Sequence, residues 1–195
     1  MVLKTRDRFI EVARQLFARK GVENTTMNDI ASASDRGRRT IYTYFKNKKD
    51  IYEAVVDSEI DKLIRSLQLI IAKPESAEEK LRQYVVVRMQ TMYQIVERNG
   101  SLRAGFFRDL RKVERARKKI SKREMVLLRD ILEEGVESGE FCIKDVTRMA
   151  VLLTSTIHGL DVTYIQDALS DKGLDQNMLT DSLCTILLNG ILTRN

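Results

Sequence analysis

Between residues 51 and 67 the apolar side chains Ile51, Val55, Val56, Ile60, Leu63, Ile64 and Leu67 recur at steps of three and four. At 3.6 residues per turn this places all seven on one face of a helix about five turns long, a pattern no strand accommodates. Breakers are scarce elsewhere too: 195 residues contain nine Gly and one Pro, so helix is the default and each breaker is a candidate boundary. With 43% hydrophobic residues the chain can bury a real core. The expectation is an all-α fold of one or two small domains.

The breakers and caps divide the chain into about nine helices. The first is expected from about Lys4 to Lys20, with Phe9, Ile10, Ala13, Leu16 and Phe17 on one face and Gly21 ending it. Thr26, with Asp29 three residues on, is a capping-box-like start for a short second helix that buries Ile30 and Ala31. A third is expected from Arg38 to about Lys46, and Asn47 with Asp50 caps a fourth that carries the 51–67 face. Ser76 with Glu79 opens a fifth, running to Arg98. A short segment from Leu102 to Leu110, a long helix from Val113 to Ser138, and two apolar helices at about Val146 to Leu169 and Asn177 to Leu192 complete the set. Helices as apolar as the last two need a cover.

Charge separates the chain by function. Residues 1–50 hold 12 Lys/Arg and 6 Asp/Glu, whereas residues 51–195 hold 22 of each, so the whole net charge of +6 lies in the first quarter. An excess so placed points the N-terminal part at a polyanion. A second basic run, residues 108–123, has 9 cations and 2 acids and is expected to be a solvated helix face. Cys142 and Cys184 stand apart from each other and from His158, the only histidine. No nucleophile, base or metal-ligand pattern results, so the expectation is a protein that is not an enzyme and has no cofactor or metal. No apolar run approaches the roughly 18 residues that span a bilayer, which leads to a cytoplasmic chain with no membrane partner.

From Arg36 to Lys49 the sequence holds six Lys or Arg, no acid, and the aromatics Tyr42, Tyr44 and Phe45, in a chain only 6% aromatic. On a wheel of 100° per residue, Ile41 and Phe45 share one side. Arg39, Thr40, Thr43 and Tyr44 share the other, with Arg38 and Tyr42 at the flanks. Such a helix packs by its back, against Ile30 and Phe17, and offers a polar front that fits a major groove. Lys46, Lys48 and Lys49 then lie at the start of the fourth helix, where a phosphate is held.

These residues resemble the DNA-binding headpiece of TetR/AcrR-family transcriptional regulators. Phe17, Gly21, Thr25, Thr26, Ile30, Ala31, Thr40, Ile41, Tyr42, Tyr44, Phe45, Asn47 and Lys48 stand at that family's spacing. The resemblance implies a helix-turn-helix domain at residues 1–48 and a helical effector-binding and dimerisation domain at 49–195. It also implies a homodimer whose recognition helices enter the major groove of double-stranded DNA. Covering the two apolar C-terminal helices by pairing them across that dimer gives the expectation of a palindromic operator and of repression released by a small-molecule effector. The expected DNA-facing set is Thr25, Thr26, Arg36, Arg38, Arg39, Thr40, Tyr42, Thr43, Tyr44, Lys46 and Lys48. Ser34, Asp35, Arg36 and Gly37 replace the family's usual A-G-V-S turn, and Arg39 replaces a frequent Gly.

The expected effector is apolar or amphipathic. Its expected pocket draws on Met89, Met92, Tyr93, Phe106, Phe107, Met125 and His158, with Arg88 or Arg103 to meet an anionic ligand. Two readings compete with a ligand-released repressor: a sequence-neutral architectural DNA-binding protein, and a small-molecule-binding helical protein or enzyme.

Overall fold

The structure, a computed structural model, describes residues 4–98, 110–165 and 175–192. Among the described residues there are eight α-helices: α1 (Thr5–Lys20), α2 (Met27–Ala33), α3 (Arg38–Tyr44), α4 (Lys48–Ile71), α5 (Ala77–Arg98), α6 (Leu110–Glu137), α7 (Val146–Ile165) and α8 (Gln176–Ile191). The expected short segment at 102–110 lies outside the described residues, apart from Leu110 at the start of α6. Packing divides the chain into two compact units. One takes the chain through Lys62 with the first residues of α6, and the other takes Leu63 onward with the remainder. The first unit thus runs into α4, past residue 48.

In the first unit each helix boundary has a local cause. Gly21 ends α1 at φ 84°, where a side chain would be strained, and its N–H donates to the Phe17 carbonyl. A complete capping box starts α2: Thr26 Oγ1 accepts from the Asp29 N–H at 3.1 Å, and the Asp29 carboxylate accepts from the Thr26 N–H at 2.8 Å. Lys20 adds an ammonium 2.8 Å from the same carboxylate. That ion pair and the two Thr26 hydrogen bonds hold Asp29 down at about 2. Asp35 turns the chain between α2 and α3 at φ 52°, a left-handed geometry that Asp tolerates better than most residues. Asn47 and Asp50 cap α4 from both sides, Asp50 N–H to Asn47 at 3.0 Å and Lys46 N–H to Asp50 at 3.0 Å.

The core of this unit is one cluster joining Phe9, Ile10, Ala13, Leu16 and Phe17 of α1 to Ile30 and Ala31 of α2, Ile41 and Phe45, and Ile51, Tyr52 and Val55 of α4. α3 is shorter than expected. It ends at Tyr44 rather than near Lys46, because Phe45 leaves the helix at φ −139°, ψ 120° and buries its ring in the cluster. Of the seven residues on the 51–67 face, all but Val56 are buried, and Val56 is half-buried.

The second unit packs Leu81, Tyr84, Val85 and Met89 of α5, Ile120, Leu128, Ile131 and Leu132 of α6, Leu153 and Ile157 of α7, and Leu183 and Leu188 of α8 into buried positions. The connection from α6 to α7 fastens three helix ends. Glu140 accepts the Glu78 N–H at 3.0 Å and the Ala77 N–H at 3.3 Å, which lowers its carboxyl and caps α5. Phe141 lies against Gly135 so closely that a Cβ there would meet its ring at 2.1 Å. Cys142 donates its N–H to the Ile191 carbonyl at 2.8 Å, holding the end of α8. The basic run of α6 places Lys118, Lys119, Lys122 and Arg123 at exposed positions.

A buried ionic network crosses this core. Arg88, with no exposed surface, donates from Nε to Glu124 and from its two terminal nitrogens to Asp161 at 3.0 and 2.7 Å. His158 Nε2 stands 2.5 Å from the other Glu124 oxygen, and its Nδ1 stands 2.8 Å from the Ser121 hydroxyl. Burial alone raises the Glu124 carboxyl, but Arg88 and His158 outweigh it and hold the group below its ordinary range. The Tyr84 phenol is pushed far up by burial and by Glu124. Helices α5, α6 and α7 are therefore joined by charge as well as by apolar contact.

Removing one member strands the others. Glu124→Leu is expected to cost about 3–5 kcal/mol, because Arg88 keeps its charge without one partner. Adding Arg88→Met is expected to recover part of that loss, a non-additivity that denaturant melts of the two single variants and the double variant will measure. In the first unit, Asp29 ionises more readily when folded than its ordinary value of 3.8. Its contribution is thus present above about pH 4 and lost as pH falls toward about 2. Asp29→Asn is expected to flatten the acid limb of the headpiece melting profile between those values.

Candidate nucleic-acid interface

Seven residues of α3 are too few to hold a helix unaided, so its front is defined by how its back is packed. Ile41 has no exposed surface and Phe45 very little, and both lie in the core cluster. Opposite that pair on the wheel stand Arg39 and Thr43, both exposed. Thr40 is half-buried, and Thr43 Oγ1 donates to the Thr40 carbonyl at 2.7 Å.

The flanking groups have partners. The Arg38 guanidinium sits 5.9 Å from the Tyr42 ring centroid, and both residues are exposed. Tyr44 leans toward the core side with its ring 6.0 Å from Phe9, half of it still exposed. Arg36 donates to the Asp35 carbonyl at 3.1 Å. Lys46 is exposed at the far end.

Three of the expected DNA-facing residues have other tasks. Thr25 is fully buried and its hydroxyl donates to the Gly21 carbonyl at 2.7 Å, so it serves the framework and offers a duplex nothing. Thr26 is exposed, but its oxygen is the α2 cap. Lys48 directs its ammonium to the Val22 and Glu23 carbonyls at 2.7 and 3.1 Å, tying the α1–α2 turn to the start of α4. The phosphate-clamp role expected of Lys48 is thus shared with a structural one.

Two further cations border α3 that the recognition stretch alone does not reveal. Arg6 lies 5.4 Å over the Phe45 ring, and Arg8 pairs with Asp35 at 2.5 Å. The sequence carried the signal in the basic start of α1, where Lys4, Arg6 and Arg8 alternate with Thr5 and Asp7.

The residues expected to line an effector pocket separate by environment. Met89 is core, Met92 and Tyr93 are half-buried, and Met125 is exposed. Arg103, Phe106 and Phe107 lie outside the described residues. Arg88 is fully buried and its charge is matched by Glu124 and Asp161, which take one N–H from each of its three nitrogens; this corrects the expectation that it meets an anionic ligand. His158 belongs to the same network. The residues missed were Tyr84, Ser121, Glu124 and Asp161. Their signal was spacing: Tyr84 with Arg88, Ser121 with Glu124, and His158 with Asp161 are polar pairs three or four apart on otherwise apolar helix faces.

The geometry agrees with comparisons to known proteins. Residues 9–55 match the family described as bacterial regulatory proteins, tetR family, and residues 72–193 match the QacR-like protein, C-terminal region. The chain is 23% identical over 192 residues to the HTH-type transcriptional regulator QacR of Staphylococcus aureus, covering 97% of this chain and 99% of that protein. A transcriptional regulator from Cytophaga hutchinsonii shares the fold with a TM-score of 0.78 at 22% identity, over 96% of this chain and 98% of the other. The transcriptional regulator FadR of Bacillus subtilis, solved with stearoyl-CoA, superposes with a TM-score of 0.67 at 25% identity, over 94% and 98% of the two chains. These relatives are regulators. With both parts of the chain matched and α3 held by its back beneath a basic front, the protein belongs to the TetR family of DNA-binding transcriptional regulators.

Proposed function

We propose that the protein is a repressor that binds a palindromic operator as a homodimer and releases it when a small apolar or amphipathic molecule enters the C-terminal part. The observation that carries the reading is the two-sided α3, with Ile41 and Phe45 buried and Arg39 and Thr43 turned outward. A major groove accepts one such helix, and two-fold pairing sets a second about 34–36 Å away. We take residues 1–48 as the DNA-binding part and 49–195 as the effector-binding and dimerisation part. The work is that of a cytoplasmic protein, and we assign it no reaction.

Pairing is supported by the apolar side chains exposed on α7 and α8. Ile186 is 71% exposed and Leu152 55%, and Val151 and Met178 are also uncovered. Two such helix pairs make a four-helix interface in a two-fold dimer. The effector class is supported by kinship: the C-terminal match is to a QacR-like region, and the FadR relative was solved with an amphipathic thioester. An effector that binds the released arrangement better than the DNA-bound one shifts the population by that difference in affinity.

Sequence-neutral DNA binding is the competing reading, and the outward Arg39–Thr43 pair favours base readout over it. A selected operator is expected to stay bound against unrelated duplex by at least about 10³ in affinity ratio; equal affinity for all duplexes would sink the regulator reading. Titrating the operator complex with stearoyl-CoA and with a lipophilic cation, followed by fluorescence anisotropy, is expected to release DNA with one of them. For the dimer, Leu152→Glu with Ile186→Glu is expected to give a monomer by sedimentation with unchanged helicity, and to weaken operator binding at least tenfold through loss of the second half-site contact.

A further inference from the structure

Five arginines or lysines of the headpiece that border α3 or the turns beside it already have partners. Arg6 lies over Phe45, Arg8 is paired with Asp35, Arg36 donates to the turn carbonyl of Asp35, Arg38 lies over Tyr42, and Lys48 holds two carbonyls. Arg39 differs from all of these. Among the described residues its side chain is exposed and makes no hydrogen bond, ion pair or ring contact; the Lys46 side chain is equally uncommitted but lies beyond the C-terminal end of α3. Arg39 is the second residue of α3 and stands opposite the buried Ile41 and Phe45.

Position decides what a free guanidinium can reach. The N-terminal residues of a recognition helix meet base edges, and the side opposite the packed back points furthest into the groove. Side chains at the flanks, such as Arg38, face the groove walls, where the phosphates are. Building on the operator-binding function proposed above, we propose that Arg39 is the specificity-determining residue of each headpiece and reads one guanine per half-site through O6 and N7. Two donors in a fixed fork match those two acceptors, a pairing no other base edge offers in the same form. Dimer symmetry then requires a G·C pair at equivalent positions of both half-sites. Thr43, one turn further on, has its hydroxyl bonded back to the helix and turns no donor toward the same base.

The test selects duplexes from a randomised pool with the full-length wild-type protein, Arg39→Ala and Arg39→Lys. The wild type is expected to retain one invariant guanine per half-site. Changing that pair to A·T should weaken it roughly 5- to 100-fold, and 7-deazaguanine at the same place should also weaken it, because N7 is gone. Arg39→Ala should lose the preference at that position alone and be indifferent to both changes. Arg39→Lys keeps the charge without the fork, and should lose most of the preference while keeping the salt dependence of binding. If Arg39→Ala selects the same sequence as the wild type, at equal or uniformly lower affinity, Arg39 is a phosphate contact or none and the assignment is overturned. If the wild type itself selects no sequence, the regulator reading falls and this assignment with it.

Discussion

Everything the headpiece offers to DNA depends on the burial of Ile41 and Phe45. A helix of seven residues carries too few internal hydrogen bonds to offset the cost of its own nucleation. Its stability is therefore borrowed from the cluster that α1, α2 and α4 form beneath it, where two large apolar side chains are worth roughly 1.5–3 kcal/mol each as an upper estimate. The departure of Phe45 from helical geometry makes this possible. One more helical turn would keep the ring on the wheel; the extended residue swings it into the core and frees Asn47 to cap α4. Position and orientation of the front are thus set by residues that never touch a duplex.

The second unit solves a different problem. Its helices have few breakers and long apolar faces, which by themselves allow sliding between alternative registers. Arg88, Glu124, Asp161 and His158 remove that freedom, since an ion pair buried without its partners is costly and only one register joins them all. Nearer the start of α5 the buried Lys80 reaches the half-exposed Glu134 of α6 at 2.6 Å, a second and more solvated tie between the same two helices. The contact of Phe141 with Gly135 and the Glu140 cap then fix how α6 gives way to α7. A regulatory domain whose helices are pinned at discrete points moves between discrete arrangements rather than deforming smoothly, which is what a ligand-driven population shift needs.

The helices and the two faces of α3 were legible in the sequence because both rest on periodicity and on local caps. Thr26 with Asp29, Ser76 with Glu79, and Asn47 with Asp50 each marked a start that the structure has. The roles of Thr25, Lys48 and Arg88 were not legible: Thr25 is withdrawn by burial, and Lys48 and Arg88 are engaged by partners far away in the chain. Thr25 fits a DNA-facing spacing but is buried, Lys48 finds carbonyls 25 and 26 residues back, and Arg88 finds carboxylates 36 and 73 residues on. Spacing reports the face a residue shares with its own helix. It does not report which neighbour that face meets, and a cation can satisfy either a ligand or a carboxylate.

That ambiguity is also why counting positive charge overstates what a headpiece reads. The net charge of +6 concentrated in residues 1–50 supplies attraction to any duplex. Not every cation behind that excess is free to meet a base: the guanidinium of Arg8 is bound to Asp35, and the ammonium of Lys20 to Asp29. Those pairs orient the turn and the capped start of α2 on which α3 depends. The Arg8 pair holds the left-handed Asp35 at φ 52° without requiring glycine. Cations that shape the interface and cations that discriminate between sequences are therefore different residues. On the proposed assignment of Arg39, selectivity rests on a group the fold leaves uncommitted, while the summed positive charge of the headpiece supplies attraction to any duplex.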